Sequence, residues 1–147
     1  MSTFNINDLW KEVYDEEVKV LKVLVNSVRT IPEKVLDSVS IAASETEEFI
    51  ITADTYSASV ITVSATYDTS ATSGIRVRWL YSPDNINFDS IEDAEDAGYY
   101  KDLTFAAGEI RQRTVLIPLL QKYMKVQIVN LDSSASVIVD VWKTLMC

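Results

Sequence analysis

Any chemistry in this chain has to come from carboxylates, arginines and aromatic rings. Histidine is absent from all 147 residues, and the one cysteine is the last residue, Cys147. The commonest general base and metal ligand is therefore missing. Ser–His–Asp and Cys–His nucleophiles are excluded with it. The three glycines, at positions 74, 98 and 108, cannot make a phosphate-cradling loop. Paired-carboxylate hydrolysis stays open by number alone, because there are 22 acids. None of them sits inside an apolar run with an evident partner. Asp140, between Val139 and Val141, comes nearest. Alternation turns it outward beside Ile138 and Trp142, where a solvated aspartate is the ordinary case. No catalytic residue is assigned, and the expectation is a protein that is not an enzyme.

Three groups of side chains remain as candidates for binding. The segment from Asp84 to Asp96 holds Asp84, Asp89, Glu92, Asp93, Glu95 and Asp96 and no base. Such oxygen ligands suit Ca²⁺, but the spacing and the missing glycine do not fit an EF-hand loop. A solvated acidic loop is the better reading, and no cofactor is expected. Arg76 with Arg78 and Arg111 with Arg113 form two alternating pairs. If their strands are neighbours they make a basic patch for an acidic partner; the plainer alternative is cross-strand pairing with Asp and Glu. Among the aromatics, Trp79 and Tyr81 fall on the apolar side of their strand and belong to the core. Trp142 is the better surface candidate, suited to stacking on a sugar or to filling a subunit interface.

These residues need elements to position them, and the period of the sequence supplies two kinds. Residues 8–29 carry a helical pattern with Asn7 or Asp8 as cap. Within it Tyr14, Val18, Leu21, Val25 and Val28 step four, three, four, three, a heptad seam of about two repeats. It packs on its own domain, on a partner, or on other copies as an oligomer interface, with a trimer as the expected oligomer. Ile31-Pro32 breaks the helix, a further helical turn fits Pro32–Asp37, and after Ser38 the period becomes two. The expected division is a helical oligomerisation or anchor segment at 1–37 and a β domain at 38–147.

Eight β-type runs follow: Val39–Ala43, Glu47–Thr52, Ser59–Thr66, Ile75–Tyr81, Tyr99–Phe105, Ile110–Pro118, Met124–Asn130 and Ser136–Thr144. Turn clusters separate them at Thr69–Gly74, Ser82–Asp89, Ala106–Glu109 and Asp132–Ser134. Short strands without intervening helices predict a mainly β fold, an antiparallel β-sandwich or jelly roll of about eight strands. Asn130-Leu131-Asp132-Ser133 is expected to join the last two strands as a hairpin.

The formal charge of −9 repels phosphate backbones, so neither nucleic acid nor an anionic membrane is expected as partner. A lone cysteine forms no internal disulfide. The acidic N-terminus MSTFNINDLWKEVYDEE lacks the basic and apolar regions of a signal peptide, so synthesis in a cytoplasm without ordinary secretion is expected.

The stretch RWLYSPDNINFDS and the later RQRTVLIPLLQKYMKVQIVNLDSSASVIVDVW resemble a pattern in small β-sandwich structural proteins of bacteriophages and archaeal viruses. Tyr81, Ser82, Pro83, Asp84, Asn87, Phe88 and Asp89 carry it, with Pro118, Lys122, Tyr123, Lys125, Val126, Asn130 and Asp132. Asn85 stands where that pattern has glycine, and asparagine tolerates the same left-handed turn. The resemblance implies a virion or tail component of decoration, fibre or connector type. Its partners would be copies of itself and other virion proteins. A carbohydrate-binding or adhesion module with Trp142 and neighbouring tyrosines as its platform is the alternative from another class. A filament subunit donating Val39–Thr52 as an exchanged strand is a third.

Overall fold

The computed structural model describes residues 29–147. Their strands are β1 (Glu33–Ile41), β2 (Thr46–Thr52), β3 (Ala58–Tyr67), β4 (Ile75–Ser82), β5 (Tyr100–Asp102), β6 (Ile110–Pro118), β7 (Tyr123–Asn130) and β8 (Val137–Met146). A six-residue helix, α1 (Ile91–Asp96), lies between β4 and β5. Two four-stranded sheets form, the first in the order β1-β8-β3-β6 and the second in the order β2-β7-β4-β5. Every pairing is antiparallel. Most connections carry the chain from one sheet to the other, and the two orders together make a jelly roll.

The core follows from strict alternation. Ile61, Val63 and Ala65 of β3 and Val139 and Val141 of β8 are fully buried from one side. Val77 of β4 and Val126 and Ile128 of β7 meet them from the other. The intervening residues point outward, as a period of two requires. Trp79, Tyr81 and Tyr99 form an inner aromatic group, with Tyr99 stacked on Trp79 at 6.3 Å and edge-on to Tyr81 at 5.2 Å. The Tyr81 hydroxyl donates to the Pro118 carbonyl and ties β4 to β6 across the sandwich.

Polar groups hold one end closed. The Asn130 amide nitrogen donates to the carbonyls of Ile41, Ala42 and Ala135, and its oxygen accepts from the Asp132 N–H. Asp132, only 1% exposed, accepts from the N–H groups of Thr72, Ser73, Ser134 and Ala135. These donors hold its carboxyl well below the usual carboxylate range. Three loops are thereby fastened together. Gly74 belongs to this end because a Cβ there would stand 3.0 Å from the Tyr67 hydroxyl oxygen.

Four expectations need correction. Residues expected to form a helical turn at Pro32–Asp37 are largely strand: β1 begins at Glu33, five residues ahead of the expected boundary at Ser38. Its register shifts between Lys34 and Leu36 and between Leu36 and Val39, and Ser38 has a φ of 50°. These bulges break the alternation that identifies a strand in sequence. The last two strands are not a hairpin, since β7 and β8 lie in different sheets. Helix α1 interrupts the all-strand order. Val39–Thr52 is no donated strand, because it supplies the end of β1 and β2, which pair with β8 and β7 of the same chain. The heptad seam at Tyr14, Val18, Leu21, Val25 and Val28 lies outside the described residues. Among the described residues no helix is long and apolar enough to cross a membrane.

Candidate functional site on the outer face of the first sheet

Strand β8 sends Val137, Val139 and Val141 inward, so Ile138, Asp140, Trp142 and Thr144 stand on the outer face of the first sheet. Strand β3 runs between β8 and β6, and its register sets the rows of that face. Thr62 lies between Trp142 and Thr114, Ser64 between Asp140 and Gln112, and Thr66 between Ile138 and Ile110. The Thr62 and Thr114 hydroxyls share a hydrogen bond of 2.9 Å. Trp142 is half-buried, in a shallow cleft of about 280 Å³ lined by Pro32, Thr62, Gln112, Trp142 and Thr144. A flat ring among hydroxyls and an amide offers an apolar surface beside hydrogen-bonding groups.

Lys34 of β1 fixes one flank. Its Nζ lies 5.1 Å from the centre of the Trp142 ring. It also reaches Asp37 at 2.6 Å and Asp140 at 2.9 Å. Those two carboxylates raise the lysine above its ordinary value. The Asp140 carboxyl is lowered by Lys34 first and by the Ser38 N–H, which donates to it at 2.8 Å. Asp140 faces outward as alternation requires, but it is half-buried and paired.

The arginines do not form an open basic patch. Arg76 and Arg78 project from the outer face of the second sheet, where Glu95 of α1 accepts from both, at 3.1 and 2.9 Å. Arg76 further grips the Asp102 carboxylate through Nε at 2.7 Å and Nη2 at 3.1 Å, and stacks over Tyr100. Arg78, only 8% exposed, donates through Nε to Gln127, whose amide donates onward to Glu48. Glu95 is held below its ordinary value chiefly by Arg78. Arg113 reaches the Asp102 carbonyl from the other sheet, and Arg111 pairs with Glu109. Arg76 and Arg113 meet at Asp102 of β5, but the two pairs sit on strands that are not neighbours. Arg76 with Asp102 is a cross-strand ion pair, whereas Glu95 reaches Arg76 and Arg78 from α1 and Glu109 stands two residues before Arg111.

Four of the six acids in the acidic segment, Asp84, Asp89, Asp93 and Glu95, are likewise occupied. Asp84 accepts from the N–H groups of Ile86 and Asn87 and from the Asn87 amide, which keeps it well below the carboxylate range. Asp89 accepts from the Tyr81 N–H, and Asp93 bonds with Ser90 at the start of α1. Among the described residues no three such side chains converge to hold a metal ion. Asn85 does adopt the left-handed conformation, with φ of 62°.

Pro32, Thr62, Gln112, Thr114 and Thr144 escaped the sequence reading as site residues. For Gln112 and the threonines the only signal is a hydroxyl or amide at an outward strand position, Pro32 before β1 carries neither, and register is needed to see that they surround Trp142.

The sequence matches no protein-family model and no curated protein. Among solved structures the fold is similar to carbohydrate-binding modules. A CBM36 module in complex with calcium and xylotriose is 11% identical, with a TM-score of 0.45 over 77% of this chain and 87% of that one. The CBM36-1 domain of a multidomain xylanase from the hindgut metagenome of Trinervitermes trinervoides is 5% identical, with a TM-score of 0.47 over 82% and 91%. A family 35 module from Clostridium thermocellum is 9% identical, with a TM-score of 0.43 over 84% and 95%. No residue's role is carried over from proteins this distant. The expectation of a virion or tail protein is corrected at this point: the solved structures this fold is similar to are carbohydrate-binding modules. The residues that suggested a virion component have structural employment. Ser82, Asp84 and Asn87 build one turn, and Asn130 and Asp132 fasten the loop end.

Proposed function

We propose that the β domain is a non-catalytic carbohydrate-binding or adhesion module whose ligand lies over Trp142. The observation that carries this reading is the half-buried Trp142 ring in a cleft lined by Thr62, Gln112 and Thr144. An aromatic face stacks on the C–H face of a sugar ring, and the surrounding hydroxyls and amide exchange hydrogen bonds with sugar hydroxyls. A few polar groups around an apolar floor is the usual composition of a small-molecule site. A glycan array probed with the full chain and with Trp142→Ala tests it. Binding of at least one glycan class is expected, weakened about tenfold or more in the variant, equivalent to roughly 1.4 kcal/mol. No bound glycan, or undiminished binding by Trp142→Ala, overturns the reading.

Self-association through Tyr14, Val18, Leu21, Val25 and Val28 is a separate proposal resting on the heptad spacing alone. The double variant Leu21→Asp, Val25→Asp is expected to lower the native mass seen by light scattering. An unchanged mass dismisses it.

A further inference from the structure

A second cleft, of about 260 Å³, opens at the loop end of the same face, with Thr66, Thr69, Gly108, Ser136 and Ile138 in its lining. Thr66 and Ile138 face each other across β3 and β8, as Thr62 and Trp142 do. The two clefts therefore stand in line along one strand pair. Thr66 stands four residue steps along β3 from Thr62, a span of about 13 Å at the rise of a strand. That is longer than a single sugar ring. Ser64, Gln112 and the Lys34-paired Asp140 occupy the row between, and Ile138, 45% exposed, provides an apolar floor at the far end.

Charge narrows the ligand further. The base on this face, Lys34, is already paired with Asp37 and Asp140 and sits against the Trp142 ring. Asp68 lines the far cleft, and the whole chain carries a charge of −9, so a polyanionic glycan is repelled. We infer that the ligand is an uncharged oligosaccharide several units long, lying along β3 and β8 from the Trp142 cleft to the Ile138 cleft. This rests on the carbohydrate reading above and makes the face an extended site.

Calorimetric titration of the full chain with neutral β-1,4-linked cello-, xylo- and manno-oligosaccharides, from disaccharide to hexasaccharide, tests this. Affinity is expected to rise with length and then level off. Ile138→Ser, a change on the exposed face that leaves the core untouched, is expected to weaken the longest ligand about tenfold and spare the shortest. Trp142→Ala is expected to weaken both. A flat length series in the unaltered chain overturns the extended site. So does an Ile138→Ser variant that binds long ligands normally while Trp142→Ala does not, an outcome that leaves the Trp142 reading standing. Tighter binding of oligogalacturonate than of neutral chains overturns the choice of an uncharged ligand. If no oligosaccharide binds, the carbohydrate reading falls and this inference falls with it.

Discussion

Trp79 and Trp142 have the same side chain and opposite employment. Trp79 stands at an inward position of β4, 6% exposed and stacked on Tyr99, whereas Trp142 stands at an outward position of β8 under Lys34. Trp79→Ala is expected to cost about 3–5 kcal/mol of stability through the cavity it leaves. Trp142→Ala, which removes atoms from a surface cleft, is expected to cost about 1 kcal/mol or less in the same denaturant titration. Equal losses in the two variants would mean that Trp142 is part of the core. Asn130 and Asp132 define the other decisive residues. Asn130→Ala strands the carbonyls of Ile41, Ala42 and Ala135 and is expected to cost about 2–3 kcal/mol. Asp132 links stability to pH. Its carboxyl is lowered in the folded chain and ordinary in the unfolded one, at about 3.9, so the unfolded state binds the proton more tightly. Its contribution is fully present above that value and is lost as pH falls below it. Asp132→Asn is expected to be less stable at neutral pH and to show a flatter decline in acid; an unchanged acid limb would exclude this residue as its source.

At the scale of elements, α1 and its acidic surroundings behave as a brace across the second sheet. Ser90 accepts from the Asp93 N–H at 3.1 Å and opens the helix, which then delivers Glu95 to Arg76 and Arg78. Glu95→Gln leaves the buried Arg78 without its carboxylate and is expected to lower stability by about 1–2 kcal/mol, measured by denaturant unfolding. No change would reduce the brace to a surface contact. Most strands were legible in the sequence because inward Val and Ile alternate cleanly with outward polar residues, as in β3, β4 and β8. The first part of strand β1, ahead of Val39, was not legible, since its bulges place Val35 and Leu36 side by side and Ser38 in a left-handed conformation. Ser90-Ile91-Glu92-Asp93 does carry a helix-start signature, which the reading of a solvated acidic loop overrode. The turn at Asn130–Asp132 was recognised, but its destination was not, because a turn's local chemistry does not say which sheet receives the next strand.

For the molecule as described, the fold gives the first sheet a polar outer face with an aromatic ring at Trp142. The first sheet brings together residues from β1, β3, β6 and β8, far apart in sequence, around Trp142. That convergence explains how much of the site could be read beforehand. Trp142 was visible as an outward aromatic, while Thr62, Gln112, Thr114 and Thr144 became visible only through pairing across strands. The arginines show the converse: prominent in sequence, they are occupied in the structure by Glu95, Asp102, Glu109 and Gln127. The most direct measurement of the central claim is a proton–nitrogen NMR titration of the full chain with a neutral oligosaccharide, following the indole N–H signals. The Trp142 signal is expected to shift in a saturable way while that of Trp79, buried in the core, stays in place. A Trp142 signal that does not move, or saturable shifts confined to the second sheet, would contradict the account.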